Sequence, residues 1–192
     1  MGRNLEFDRE ETLSKAMKLF WEKGYRATSM KDIVKTTGLQ PGSIYYSFGD
    51  KHSLFIEALE HYGEVITTRM IKVLNDPGDP LDNIRRFFTN LVNTPSELKS
   101  IGCLLSNTVV ELSPHEEDTS RTVAKFMNKI ERSFYDCLKK AKGSGDLSPD
   151  SNIKDLATYL ATCTHGLIVT GKSLPSSKRI NSVVDVIMSN IK

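Results

Sequence analysis

Residues 28–48 read Thr-Ser-Met-Lys-Asp-Ile-Val-Lys-Thr-Thr-Gly-Leu-Gln-Pro-Gly-Ser-Ile-Tyr-Tyr-Ser-Phe, and the fold is decided here. Ser29 or Thr28 can cap a short helix whose inner face is Met30, Ile33 and Val34. Gly38 ends that helix, and Leu39-Gln40 make a tight turn. Pro41 then opens a second short helix running to about Ser47. Its missing amide hydrogen costs nothing in a first turn and its φ is already helical. Helix, glycine-containing turn, helix is the sequence form of a helix-turn-helix. Spacing alone also suits many helical proteins with no nucleic-acid role, so residue types must separate the two.

They favour DNA. A recognition helix needs small and hydrogen-bonding residues at its N-terminal end, where base edges must be reached, and Gln40, Pro41, Gly42 and Ser43 stand there. Farther along, Tyr45 and Tyr46 can offer phenolic hydroxyls to phosphates, with one of the pair expected to face the core. Lys51 joins a cation to the exposed amides of the next helix, and Thr28 can serve the same way at the preceding one. From 23 to 51 the chain carries Lys23, Arg26, Lys31, Lys35 and Lys51 against Asp32 and Asp50. The whole molecule has a net charge of only +2, which excludes an indiscriminate polycation.

Outward from this unit, apolar residues recur at helical spacing and no segment alternates as a strand would, so the chain reads as all-α with about nine helices. Leu13, Ala16, Met17 and Phe20 stripe a first helix that stops at Lys23-Gly24, and Glu6, Asp8, Glu10 and Glu11 suit its positive end. Asp50 caps a long fourth helix with Leu54, Phe55, Ala58, Leu59, Tyr62 and Ile66 inward, ending in the run Asn75-Asp-Pro-Gly-Asp-Pro80. Further helices fall near 81–94, 98–113, 116–142, 152–172 and 177–191. Between them lie Thr94-Pro95, Ser113-Pro114, Gly143-Ser-Gly-Asp and Leu174-Pro-Ser-Ser. The expected division is a DNA-binding domain over 1–52 and a regulatory, ligand-binding and dimerisation domain over 53–192.

Hydrophobic residues at 39% and charged ones at 26% are ordinary for a globular protein and favour neither disorder nor a membrane class. A polar start and no long apolar run place the chain in the cytoplasm, with no membrane partner. Three cysteines, Cys103, Cys137 and Cys163, are odd in number and widely spaced, suiting neither a disulfide framework nor a metal site. His61, His115 and His165 sit in unrelated segments. No catalytic residue, metal ligand or cofactor is expected.

The stretch from Phe20 to Leu59, with Phe-Trp-Glu-Lys-Gly-Tyr-Arg-Ala-Thr-Ser-Met-Lys-Asp-Ile and then Thr-Gly-Leu-Gln-Pro-Gly-Ser-Ile-Tyr-Tyr-Ser-Phe-Gly-Asp-Lys-His-Ser-Leu-Phe, resembles the TetR family of repressors. The resemblance implies three N-terminal helices for DNA and about six C-terminal ones for dimerisation and ligand capture. It implies backbone contacts near Thr28, Tyr45, Tyr46 and Lys51, groove contacts from Gln40, Pro41, Gly42 and Ser43, and Met30 and Lys31 at the rim. Members often carry His where Ser47 stands and Glu where His52 stands, which puts a phosphate contact at Ser47 in doubt.

Beyond about residue 65 only periodicity guides the reading. Phe87, Phe88, Leu91, Leu104, Val109, Phe126, Met127, Ile130 and Phe134, with Cys103, are candidates for the wall of an effector cavity, although most such residues simply fill cores. Gly102-Cys103-Leu104-Leu105-Ser106-Asn107 resembles a segment of those TetR-type regulators in which a cysteine responds to reactive compounds. An inert buried thiol is the alternative. Leu156, Leu160 and Leu167 on one helix and Ile180, Val183, Val184 and Ile187 on the last make stripes for a two-fold four-helix interface, or for the protomer's own core. The expected function is a homodimeric repressor released from a palindromic double-stranded DNA operator by a small molecule. The rivals are a DNA-binding regulator with no ligand and, third, a helical enzyme.

Overall fold

The computed structural model describes residues 7–112, 116–173 and 177–191, and among these every regular element is helical. The links at Ser113-Pro114 and Leu174-Pro-Ser-Ser, and His115, fall outside or partly outside the described residues. The N-terminal helices are α1 (Arg9–Lys23), α2 (Met30–Thr37), α3 (Pro41–Phe48) and α4 (Lys51–Tyr62). Each starts where local chemistry directs. Asp8 accepts from the N–H groups of Glu10 and Glu11, and Ser29, rather than Thr28, forms a reciprocal capping box with Asp32. Pro41 occupies the first turn of α3, and Asp50 accepts from Ser53 N–H. Gly38 ends α2 in the left-handed region that glycine adopts without strain.

After Tyr62 the helix continues as a wider π turn over Gly63–Thr67, then α5 (Thr68–Ile71) and a tight turn over Lys72–Asn75. There follow α6 (Pro80–Val92), α7 (Ser96–Ile101), α8 (Leu104–Glu111), α9 (Glu117–Ser144), α10 (Ile153–Ser173) and α11 (Ser177–Ser189). The helix expected over 98–113 is thus two, broken at Gly102-Cys103. Gly102 has φ +77°, a backbone conformation that residues with side chains rarely adopt, so glycine suits this bend.

Two apolar cores result. One gathers Ala16, Phe20, Ile33, Ile44, Leu54 and Phe55 with Leu104, Leu105, Leu112, Val123 and Phe126, so α8 and the start of α9 pack directly onto the helix-turn-helix unit. The other joins α6, the rest of α9, α10 and α11 through Ile84, Phe87, Phe88, Ile130, Phe134, Leu160, Val184 and Ile187. No helix among the described residues is long and apolar enough to cross a membrane.

Candidate nucleic-acid interface and adjoining cavity

The outer surface of α3 is built by what its inner side buries. Ile44 and Phe48 are anchored in the core, which leaves Gln40, Pro41 and Gly42 exposed and Ser43 half-exposed at the N-terminal end. Tyr45 is 50% exposed and Tyr46 77%. The expectation that one tyrosine packs inward is corrected: Ile44 and Phe48 already supply the i, i+4 anchor, and both phenols point away from it.

Thr28 takes a different position from the one expected. It is buried, and its hydroxyl donates to the Gly24 carbonyl at 2.6 Å, which holds the α1–α2 loop. Met30 is half-buried against the core, Lys31 is exposed, and the Ser47 hydroxyl is buried without a hydrogen-bond partner among the described residues. Lys51 lies over the Tyr25 ring at 4.2 Å from its centre, and burial lowers its pKa, opposed by the charge of Glu111. The cation therefore leans on an aromatic ring beside α3.

This surface is tied to the later helices by carboxylates. Glu111, at the end of α8, accepts from the backbone N–H of Tyr25 at 3.1 Å and of Arg26 at 2.6 Å. His52 stands with Nε2 at 2.8 Å from Asp118 and Nδ1 at 3.5 Å from Glu116, a contact that holds the Asp118 carboxyl below its usual range. Although these three side chains could offer metal-ligand atoms within 4.8 Å of one another, the His52–Asp118 contact is a hydrogen bond that joins α4 to α9.

Behind α1 lies a cavity of about 420 Å³, walled by α1, α4, α5, α6, α7 and α10. Of the residues expected to line such a space, Phe87, Leu91 and Cys103 do so. Phe88, Leu104, Phe126, Ile130 and Phe134 are core residues, Met127 packs beside them, and Val109 is on the surface. Leu167, expected at an interface, also lines the cavity. The sequence reading missed Trp21, Tyr62, Met70, Asn90 and Lys99, which meet here from five different helices. The one available signal was Trp21 standing beside the buried stripe of α1. Its indole N–H donates to the Gly102 carbonyl at 2.8 Å, and its ring meets Tyr62 edge-on at 5.1 Å. Burial and the neighbouring Cys103 thiol raise the Tyr62 pKa well above its ordinary value, so this phenol stays neutral.

The stripes assigned to a two-fold interface mostly turn inward. Leu160, Val184 and Ile187 are buried in the protomer and Leu156 is partly so, because α11 covers α6 and α10. The Ile180 side chain lies outside the described residues. Val183 is exposed, as are Val169 and Val186, so each leaves an apolar side chain on the outside of α10 or α11.

A short helix presented N-terminus outward from a capped helical triad defines a helix-turn-helix DNA-binding protein. Residues 13–58 match the model of bacterial regulatory proteins of the tetR family, and residues 80–187 match the tetracyclin repressor-like C-terminal domain. The chain is 33% identical to the uncharacterized HTH-type transcriptional regulator YezE of Bacillus subtilis (strain 168), over 98% of each chain. It is 28% identical to the HTH-type transcriptional repressor ComR of Escherichia coli (strain K12), over 95% of this chain and 88% of ComR. Among solved structures, a cysteine mutant of the TetR family regulator CifR complexed with 26-bp double-strand operator DNA superposes with a TM-score of 0.84. It is 28% identical, with 97% of this chain and 98% of that one covered. The chain belongs to the TetR family of transcriptional regulators and is a DNA-binding regulator rather than an enzyme.

Proposed function

We propose that the protein is a homodimeric repressor that reads an approximately palindromic operator with α3 and leaves it when a small molecule enters the cavity behind α1. The observation that carries this reading is the position of Trp21. It sits on α1 of the DNA-binding unit and is at the same time a wall of the cavity, so occupancy bears on the helix that supports α3. ComR, named as a repressor, and the operator complex of CifR support the DNA half of the proposal by likeness.

In this reading Gln40 and Ser43 reach base edges, while Tyr45, Tyr46 and Lys51 meet phosphates. Two-fold symmetry sets the recognition helices about 34–36 Å apart or somewhat more, in successive major grooves. The test is a salt-dependent binding series on the operator and on random DNA. Tyr46→Phe and Lys51→Ala weaken both, and Lys51→Ala flattens the salt dependence by about one phosphate contact. Gln40→Ala instead costs about 1–3 kcal/mol at one base pair only. Equal losses for Gln40→Ala on both DNAs, or a footprint on an asymmetric site by a monomer, would overturn the assignment.

A further inference from the structure

We infer that the molecule captured by the cavity is an organic anion, an apolar body carrying one carboxylate; this rests on the reading of the cavity as the effector site. Among the described residues, the charged side chains in its wall are Arg69 and Lys99, with no Asp or Glu beside them. Four other arginines are matched: Arg9 meets Glu57, Arg85 meets Asp185, Arg86 meets Asp76, and Arg132 meets Asp136. Among the described residues, neither Arg69 nor Lys99 has a carboxylate within ion-pair distance or a side-chain hydrogen bond.

The layout is directional. Arg69 is exposed and Lys99 half-buried, whereas Tyr62, Phe87, Val92 and Cys103 are buried in the wall. The cations therefore stand at the solvent end of a space whose floor is apolar. A ligand with its apolar part inward and its anion outward matches both ends at once. It gains charge-assisted hydrogen bonds near a low-dielectric wall, where they are stronger than in water. A neutral ligand of the same shape gains only the apolar half, and a cationic one meets two like charges. At about 420 Å³ the space falls in the range of about 300–1,000 Å³ usual for small organic ligands.

Trp21 is the sole tryptophan and lines the cavity, so its fluorescence reports entry directly. The probes are phenylbutanoate, phenylbutanol and phenylbutylamine, which share one apolar body and differ in charge. The expected result is that the acid binds at least about tenfold more tightly than the alcohol, a factor typical of one charge-assisted contact, and that the amine binds weakest. Arg69→Gln with Lys99→Gln brings the acid down to the level of the alcohol, whose unchanged binding shows that the variant is folded. Equal binding of acid and alcohol to the unaltered protein, or an acid preference that survives both substitutions, overturns the anion. If no probe perturbs Trp21, the cavity fails as an effector site and the anion with it. If the acid binds with the expected preference yet leaves the operator complex intact, the anion site stands and the regulatory reading falls.

Discussion

Gly63 shows how strictly one residue can be determined by a neighbour far along the chain. A Cβ built there would stand 2.4 Å from the ring of Phe126, and the contact lies in the core that joins α4 to α9. Gly63→Ala must displace a fully buried phenylalanine, an overpacking that costs about 1–3 kcal/mol. Thermal unfolding should reveal it, and a variant melting with the parent would mean that the ring moves freely. The thiols differ for reasons of similar scale. Cys137 is buried, its Sγ donates to the Pro80 carbonyl at 3.3 Å, and burial pushes its pKa up to about 11. Cys163 is raised too, again mainly by burial. Cys103 faces the cavity. Since the thiolate is the reactive species, a small maleimide at neutral pH should label Cys103 ahead of Cys137. Peptide mass spectrometry after brief exposure checks this order, and prior labelling of Cys137 would refute it.

At the scale of elements, α8 is the joint between cavity and DNA-binding unit. Its N-terminal end follows the Gly102 bend, whose carbonyl holds Trp21, and its last residue, Glu111, grips two backbone N–H groups of the α1–α2 loop. Under the proposed ligand response, a displacement at one end of this short helix would be carried to the other. Replacing Glu111 by Gln removes the charge from two hydrogen bonds that are individually worth about 1.5–3 kcal/mol when ionised. The expected outcome is faster hydrogen exchange at the Tyr25 and Arg26 amides and a higher effector concentration for operator release. Unchanged exchange at both amides would show that the loop is held by Thr28 and the core alone.

For the whole molecule, pH separates two sets of groups. Burial lowers the pKa of His165 below its ordinary 6.5, so the unfolded chain takes up this proton more readily than the folded one. Stability tied to His165 is therefore present above pH 6.5 and is lost as pH falls through the window beneath it. Asp50, held low mainly by Ser53 N–H, and Asp118, held low mainly by His52, contribute above 3.8 and lose that contribution only in stronger acid. Melting between pH 7 and 5 should thus decline in the parent and decline less in His165→Gln; parallel curves would remove His165 from the account. Association is a second property of the whole. In the proposed homodimer, the exposed Val169, Val183 and Val186 are the candidates for apolar surface that a two-fold partner would cover. Val186→Glu should shift sedimentation from dimer to monomer with the fold intact, and a persistent dimer would move the interface elsewhere.

The all-α class, the helix starts at Pro41 and Asp50, the second helix's cap at Ser29 or Thr28, and the outward end of α3 were legible in the sequence alone. Caps, glycine stops and i, i+4 stripes act within one or two turns, so the information is local. The cavity was not legible, because Trp21, Tyr62, Asn90, Lys99 and Ile168 become neighbours only when α1, α4, α6, α7 and α10 pack. Phe87 and Phe88 are adjacent and equally apolar, yet one lines the cavity and the other fills the core. Nor could periodicity tell an interface stripe from a core stripe. Leu160, Val184 and Ile187 have the spacing that either role requires, and only the packing of α11 over α6 and α10 turned them inward. An apolar stripe states that a surface must be covered, and tertiary structure decides by what.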